Sequence, residues 1–186
     1  ARDDVTHRGL AAQFEARTVF RRYLAVILGP RFDDVGVFDT PYGRHPKYRK
    51  KMTGRFDAQR RAITHWEVVA RGDALALVLL RLRTGRTHQI RVHLAESGHP
   101  VVADPLYGRA APKRGGGGRT AQELAAARRM PRLALHAAAL GFDHPRTGEA
   151  VRWVAEPPED LSTLIIASFG AKALDEAMGR IRGTSQ

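Results

Sequence analysis

The 186-residue sequence has no cysteine. Disulfides, thiolate nucleophiles and cysteine-ligated metals are therefore excluded, and a reducing cytoplasm is the expected compartment. Serine is scarce, at positions 97, 162, 168 and 185 only, and none sits in a nucleophile-elbow setting. No apolar run approaches the length of a membrane span and no basic amphipathic helix dominates, so no membrane partner is expected. His88 and His93 are five apart with no carboxylate between them, and the glycines at 115–118 lack the spacing and the Lys-Ser/Thr of a phosphate-binding loop. Neither a metal nor a cofactor is expected. The chain opens at Ala1 without an initiator methionine or an apolar signal stretch, as a fragment of something longer would.

Lysine is also rare. Of 31 lysine and arginine residues only five, at 47, 50, 51, 113 and 172, are lysine, while aspartate and glutamate total 19 and the net charge is +12. A charge carried mostly by planar guanidinium groups favours bidentate recognition of phosphates and bases. Nucleic acid is the natural partner.

The densest arrangement is Leu82-Arg83-Thr84-Gly85-Arg86-Thr87-His88-Gln89-Ile90-Arg91-Val92-His93-Leu94. The apolar run before it, Ala74 to Leu80, reads as a strand buried on both faces. Thr84-Gly85 breaks the strand, Thr87 is placed to cap, and Gln89 to Ser97 reads as a helix stopped by Gly98. Arg86, His88 and Arg91 thus meet helix N–H groups at one point, which suits a phosphate or a carboxylate. Elsewhere, Asp4 or Thr6 is placed to cap a helix through Ala16, and Val19 to Leu28 reads as a strand with Arg17, Arg21 and Arg22 at its entrance. From Asp33 to Arg61 the pattern loosens. Within it Arg44, His45, Arg49, Lys50 and Lys51 interleave with aromatics and prolines, as in a hairpin that touches a nucleic-acid backbone. Ala62 to Val69 pairs with the buried strand across Arg71-Gly72-Asp73, 109–119 is a mobile loop, and Thr120 to Arg129 is a short helix. Leu133 to Phe142 and Val151 to Val154 form a strand pair, and Leu161 to Met178 closes the chain as a helix. The whole is one domain of mixed α/β (α+β) class.

Arg86 to Leu94, with Gly98-His99-Pro100 and Asp104-Pro105-Leu106-Tyr107-Gly108, resembles the signature of the RluA/RluD-type pseudouridine synthases. The likeness continues through Gly43-Arg44-His45-Pro46, Ala62-Ile63-Thr64-His65, Leu135-His136-Ala137 and Pro157-Pro158-Glu159-Asp160, spanning nearly the whole chain in the family's order. The resemblance implies a largely antiparallel central sheet flanked by helices, and isomerisation of uridine to pseudouridine in RNA without cofactor or metal. It also implies that Tyr23, in Arg22-Tyr23-Leu24-Ala25, stacks on the target base and that Arg91 pairs with the nucleophilic aspartate. Leu135 would form part of the apolar wall behind the uracil, and Arg86, Thr87, His88 and Gln89 would line the RNA surface. A flipped base needs such a surface to replace lost stacking, and a buried carboxylate needs a fixed cation.

The family's nucleophile stands in an Arg-Leu-Asp motif that these 186 residues do not contain. Gly54-Arg55-Phe56-Asp57 mimics it at the wrong place, and Asp57 is not assigned. The expectation is a monomeric part of a catalytic domain acting on ribosomal RNA, of the large subunit by its loop between Gly108 and Pro131. It would be inactive alone and would leave a bare sheet edge. The rivals are a non-catalytic RNA-binding or RNA-chaperone protein of the same fold, and a DNA- or phosphate-binding module.

Overall fold

The computed structural model describes residues 1, 3–56, 59–108 and 118–183. Its organising strand is β6 (Leu75–Leu82), which lies between β1 (Phe20–Leu28) and β5 (Arg61–Arg71) and is antiparallel to both. All six residues from Leu75 to Leu80 are buried, which explains a run with no polar alternation. With β2 (Val35–Pro41), β7 (Leu135–Asp143) and β8 (Ala150–Val154), the sheet reads β2-β5-β6-β1-β7-β8, antiparallel at every pairing. This is the mixed α/β architecture expected from the resemblance. A separate hairpin pairs β3 (Gly43–Arg44) with β4 (Met52–Thr53).

Register assigns side chains to faces, because directly opposed residues point the same way. On one face Tyr23, Leu80 and Trp66 form a row. Helix α2 (Gln89–Glu96) is tied to this face through Thr64, whose hydroxyl meets Gln89 and His93. On the other face Arg22, Arg81 and His65 form the adjacent row. There α5 (Ala171–Gly183) approaches, with Arg180 ion-paired to Glu67.

Several local expectations are corrected. The cap of α1 (Asp4–Ala16) is Asp3, whose carboxylate accepts from the Thr6 N–H. β2 occupies part of the stretch read as loose turns; it is an edge strand whose alternation is diluted by Gly36, Asp39 and Thr40. The carboxyl-terminal helix is two, α4 (Glu159–Phe169) and α5, because Gly170 at φ 86° adopts a conformation closed to ordinary residues while the apolar period continues on either side. Of the loop read at 109–119, residues 109–117 lie outside the described set, and Arg119 already opens α3 (Arg119–Arg129). Asp57 also lies outside it. Both outer strands leave apolar side chains in solvent, Val35 and Val37 on β2 and Trp153 and Val154 on β8. Among the described residues no helix is long and apolar enough to cross a membrane.

Glu123 of α3 is 1% exposed and accepts from the N–H groups of Asp73, Ala74 and Leu75, so one carboxylate fastens the β5–β6 turn to the helix. Arg119 neutralises it at 3.0 Å. Glu123→Ala strands three N–H groups and is expected to lower unfolding free energy by roughly 2–4 kcal/mol, read as a fall in the urea midpoint with unchanged slope.

Candidate functional site

The end of β6 is turned into α2 by a knot of buried polar groups. Thr84 Oγ1 accepts from the Ile63 N–H and donates to Gln89 Oε1. Gln89 Oε1 also accepts from the Arg86 N–H, and its Nε2 donates to Ile63 O and Thr64 Oγ1. At 2% exposure the Gln89 amide has all four of its hydrogen bonds within the protein. Gln89, expected on the RNA surface, is thus interior and holds Arg86 in place. Thr87 does not cap the helix either. His88 occupies the N-cap at φ 60° without a side-chain cap bond, while the Thr87 carbonyl accepts from the Tyr42 hydroxyl at 2.7 Å.

Arg91 meets a carboxylate here, that of Asp104. Nε and Nη2 form a bidentate pair with it at 2.8 and 2.7 Å, and the carboxylate side chain is fully buried. Burial opposes its charge, but Arg91 and the N–H groups of Tyr107 and Leu106 outweigh burial and hold Asp104 below the usual carboxylate range. Tyr107 then gathers the neighbouring cations. The Arg91 guanidinium lies 5.1 Å from its ring centre and the Lys51 ammonium 5.7 Å. Its hydroxyl accepts from the Met52 N–H, so its own proton faces His88 Nδ1 at 3.1 Å. Burial, with Arg91 adding, lowers the His88 pKa, and the neutral ring so assigned presents Nε2–H outward.

The β3–β4 hairpin rises from this cluster. Arg44 donates to the Arg49 carbonyl, and His45 Nδ1 accepts from the N–H groups of Lys47 and Tyr48, so the loop is braced. Arg49 and Lys50 at its tip are exposed.

Tyr23 stands across from Leu80 and Ala137, and Leu135 across from Ala25 on the same face; Ala137 is exposed, so the face beside the tyrosine is open. No hydrogen bond or ring contact joins Tyr23 to Arg91 among the described residues. Arg21, which the sequence placed only at the entrance of the strand, turns out to be buried. It is 8% exposed, its Nε is buried without a hydrogen-bond partner, and it lines a cavity of about 420 Å³ with Phe14, Thr84, Gly85 and Arg86. Burial lowers its pKa and the nearby Tyr23 opposes that effect. A Cβ on residue 85 would come within 2.5 Å of Arg21 Nη1, so a side chain there would shift the guanidinium from its present place. The available signal was strand period: Arg21 is two residues from Tyr23 and shares its face. Among the described residues no three acidic or histidine side chains are grouped to hold a metal ion.

Residues 1–96 match the family model described as RNA pseudouridylate synthase. The ribosomal large subunit pseudouridine synthase D of Nitrosomonas europaea is 43% identical over 158 residues, 85% of this chain and 43% of that protein. The protein of the same name from Xanthomonas campestris is 46% identical over 160 residues, covering 85% of this chain and 46% of the relative. This chain thus spans rather less than half the length of these two relatives. Among solved structures, human RNA pseudouridylate synthase domain containing 1 superposes with a TM-score of 0.73 at 26% identity, over all of this chain and 75% of that one.

His93 anchors α2 from below, with Nδ1 2.9 Å from Thr64 Oγ1 and Nε2 3.1 Å from Thr40 Oγ1. Burial depresses its pKa to about 4, with Asp39 only partly opposing. Between about pH 6.5, where the unfolded imidazole takes its proton, and about 4, only the unfolded state is protonated. Stability from this group is complete above that window and falls through it on acidification, by roughly 3 kcal/mol. Urea titrations from pH 7 to pH 4 are expected to show this loss, and His93→Gln to flatten it.

Proposed function

The chain belongs to the RNA pseudouridylate synthase family, and from that membership we propose that it forms the base-binding and RNA-gripping part of an active site that converts uridine to pseudouridine. The reaction detaches uracil, turns it and rejoins it through carbon, so composition is unchanged and no cofactor or metal is called for. The nucleophilic aspartate comes from outside these 186 residues, and the chain alone is inactive. The substrate is large-subunit ribosomal RNA, a choice that rests on the names of the two bacterial relatives. The protein acts as a monomer in the cytoplasm.

One observation carries this reading. Arg91 commits Nε and Nη2 to Asp104, which leaves its Nη1 edge as a donor toward a second carboxylate. A guanidinium clamped on one edge and resting on Tyr107 is preorganised for an incoming aspartate, and it cannot lose its charge. Tyr23 supplies the stacking surface and Leu135 the wall, on one sheet face. Arg86, Thr87 and His88 at the start of α2 and the braced hairpin with Arg44, His45, Arg49, Lys50 and Lys51 hold the RNA backbone, where phosphate contacts position the substrate without reading its sequence. The second reading, a non-catalytic RNA-binding or RNA-chaperone protein, is favoured by the missing Arg-Leu-Asp motif.

Pseudouridine formation on unmodified large-subunit RNA, with binding measured in the same samples, separates the two. The chain alone is expected to bind without making product, and a version extended upstream through an Arg-Leu-Asp segment to restore turnover. An extended protein that binds and still makes none would leave the chaperone reading standing. In the extended enzyme Arg91→Ala is expected to lower turnover by on the order of 100-fold or more, with RNA affinity nearly unchanged. A parallel loss of affinity would reassign Arg91 to backbone binding.

A further inference from the structure

The sheet face opposite Tyr23 carries an arrangement that the proposed reaction does not use. Arg22 of β1 stands directly across from Arg81 of β6, and Arg81 directly across from His65 of β5. Side chains so opposed have Cβ atoms about 5 Å apart, and like charges at that spacing destabilise a sheet. Neither guanidinium has an ion pair or side-chain hydrogen bond among the described residues, and Nη1 of Arg22 is buried with no partner. Arg22 is backed by the Phe20 ring at 4.5 Å, and Arg152 adds further positive charge beside it. The row lines a cavity of about 290 Å³ that Arg180 of α5 helps to close. Among the described lining residues the one carboxylate is Glu67, shared at 3.8 Å with Arg180, which also pairs with Glu176. Burial, followed by Arg81, Arg83 and Arg22, holds the His65 pKa below its usual value, as a concentrated positive potential would.

A buried donor left unpaired and two opposed guanidinium groups are both unfavourable, and one anion relieves both. Donors arrive from three strands, Arg22 of β1, Arg81 of β6 and His65 of β5, which suits a tetrahedral group with several acceptor oxygens better than a planar carboxylate. The volume lies near the lower end of small-ligand pockets. We propose that this cavity is a second anion site, built for a phosphate group, on the far side of the sheet from Tyr23. The phosphate is either part of the RNA backbone or free in solution, and the chemistry of recognition is the same for both.

The test uses the 186-residue chain at constant ionic strength, with chloride replaced stepwise by millimolar inorganic phosphate, and follows both the His65 imidazole by NMR and the melting temperature. Phosphate is expected to shift the His65 signal saturably, to raise its pKa by about one pH unit and to raise Tm. Arg81→Gln is expected to abolish these responses while itself raising Tm in chloride, because it removes the opposed charge. A second variant, Arg22→Gln, is expected to lose the phosphate response as well. An unsaturable shift, or one that survives in both variants, overturns the proposal. A short single-stranded oligoribonucleotide that shifts His65 and is displaced by phosphate would support the site with RNA as its source. An oligonucleotide without effect, beside a phosphate response, would support it with free phosphate as the source. Neither readout depends on turnover, so the site stands or falls apart from the proposed reaction.

Discussion

Everything on the Tyr23 face depends on the hydrogen bonds of one buried amide. A carboxamide withdrawn from water must find partners for both its oxygen and its nitrogen, and Gln89 finds four, from the Thr84 hydroxyl, the Arg86 N–H, the Ile63 carbonyl and the Thr64 hydroxyl. Two of those groups belong to β5 and two to the turn between β6 and the helix. Satisfying them leaves α2 a single seat on the sheet. The direction of the helix, and therefore the position of Arg91 two residues on, follows from that seat. His93 repeats the device about one turn along the same helix by bridging Thr40 and Thr64.

Charge is managed differently on the two faces. Near α2 a buried carboxylate, Asp104, meets a bidentate guanidinium and two backbone N–H groups, a level of pairing that makes burial of an ion tolerable. Arg21 has no such carboxylate among its described contacts, and its guanidinium lies against residue 85, which has no side chain. On the far face arginine opposes arginine across adjacent strands. Cationic groups are thus short of partners at two places, each beside a cavity.

Much of this was legible in the residues. The central strand showed as an unbroken apolar run, the α2 stop showed as Gly98, and the hairpin showed as a basic loop between turn formers. What escaped has physical reasons. β2 is an edge strand, half in solvent, so its pattern lacks the contrast that a buried strand shows. The break at Gly170 leaves the apolar period intact on both sides, and periodicity cannot see a dihedral angle. Gln89 and His93 look like surface residues in a list, because the threonines that satisfy them lie at 40, 64 and 84 and only folding brings them together. For the same reason Asp104, thirteen residues downstream, could be read as a turn former, which it is, but not as the partner of Arg91.

The bare outer strands have a consequence for how the protein behaves among its own copies. β2 and β8 each present an open ladder of N–H and C=O groups beside exposed valine or tryptophan, the features through which sheets join edge to edge. The net charge of +12 opposes such contacts, a repulsion that reaches only about 8 Å at physiological ionic strength and less in concentrated salt. Colloidal stability is therefore borrowed from the same arginines that are proposed to hold RNA. Salt, or a polyanion that neutralises them, brings the edges within reach of one another.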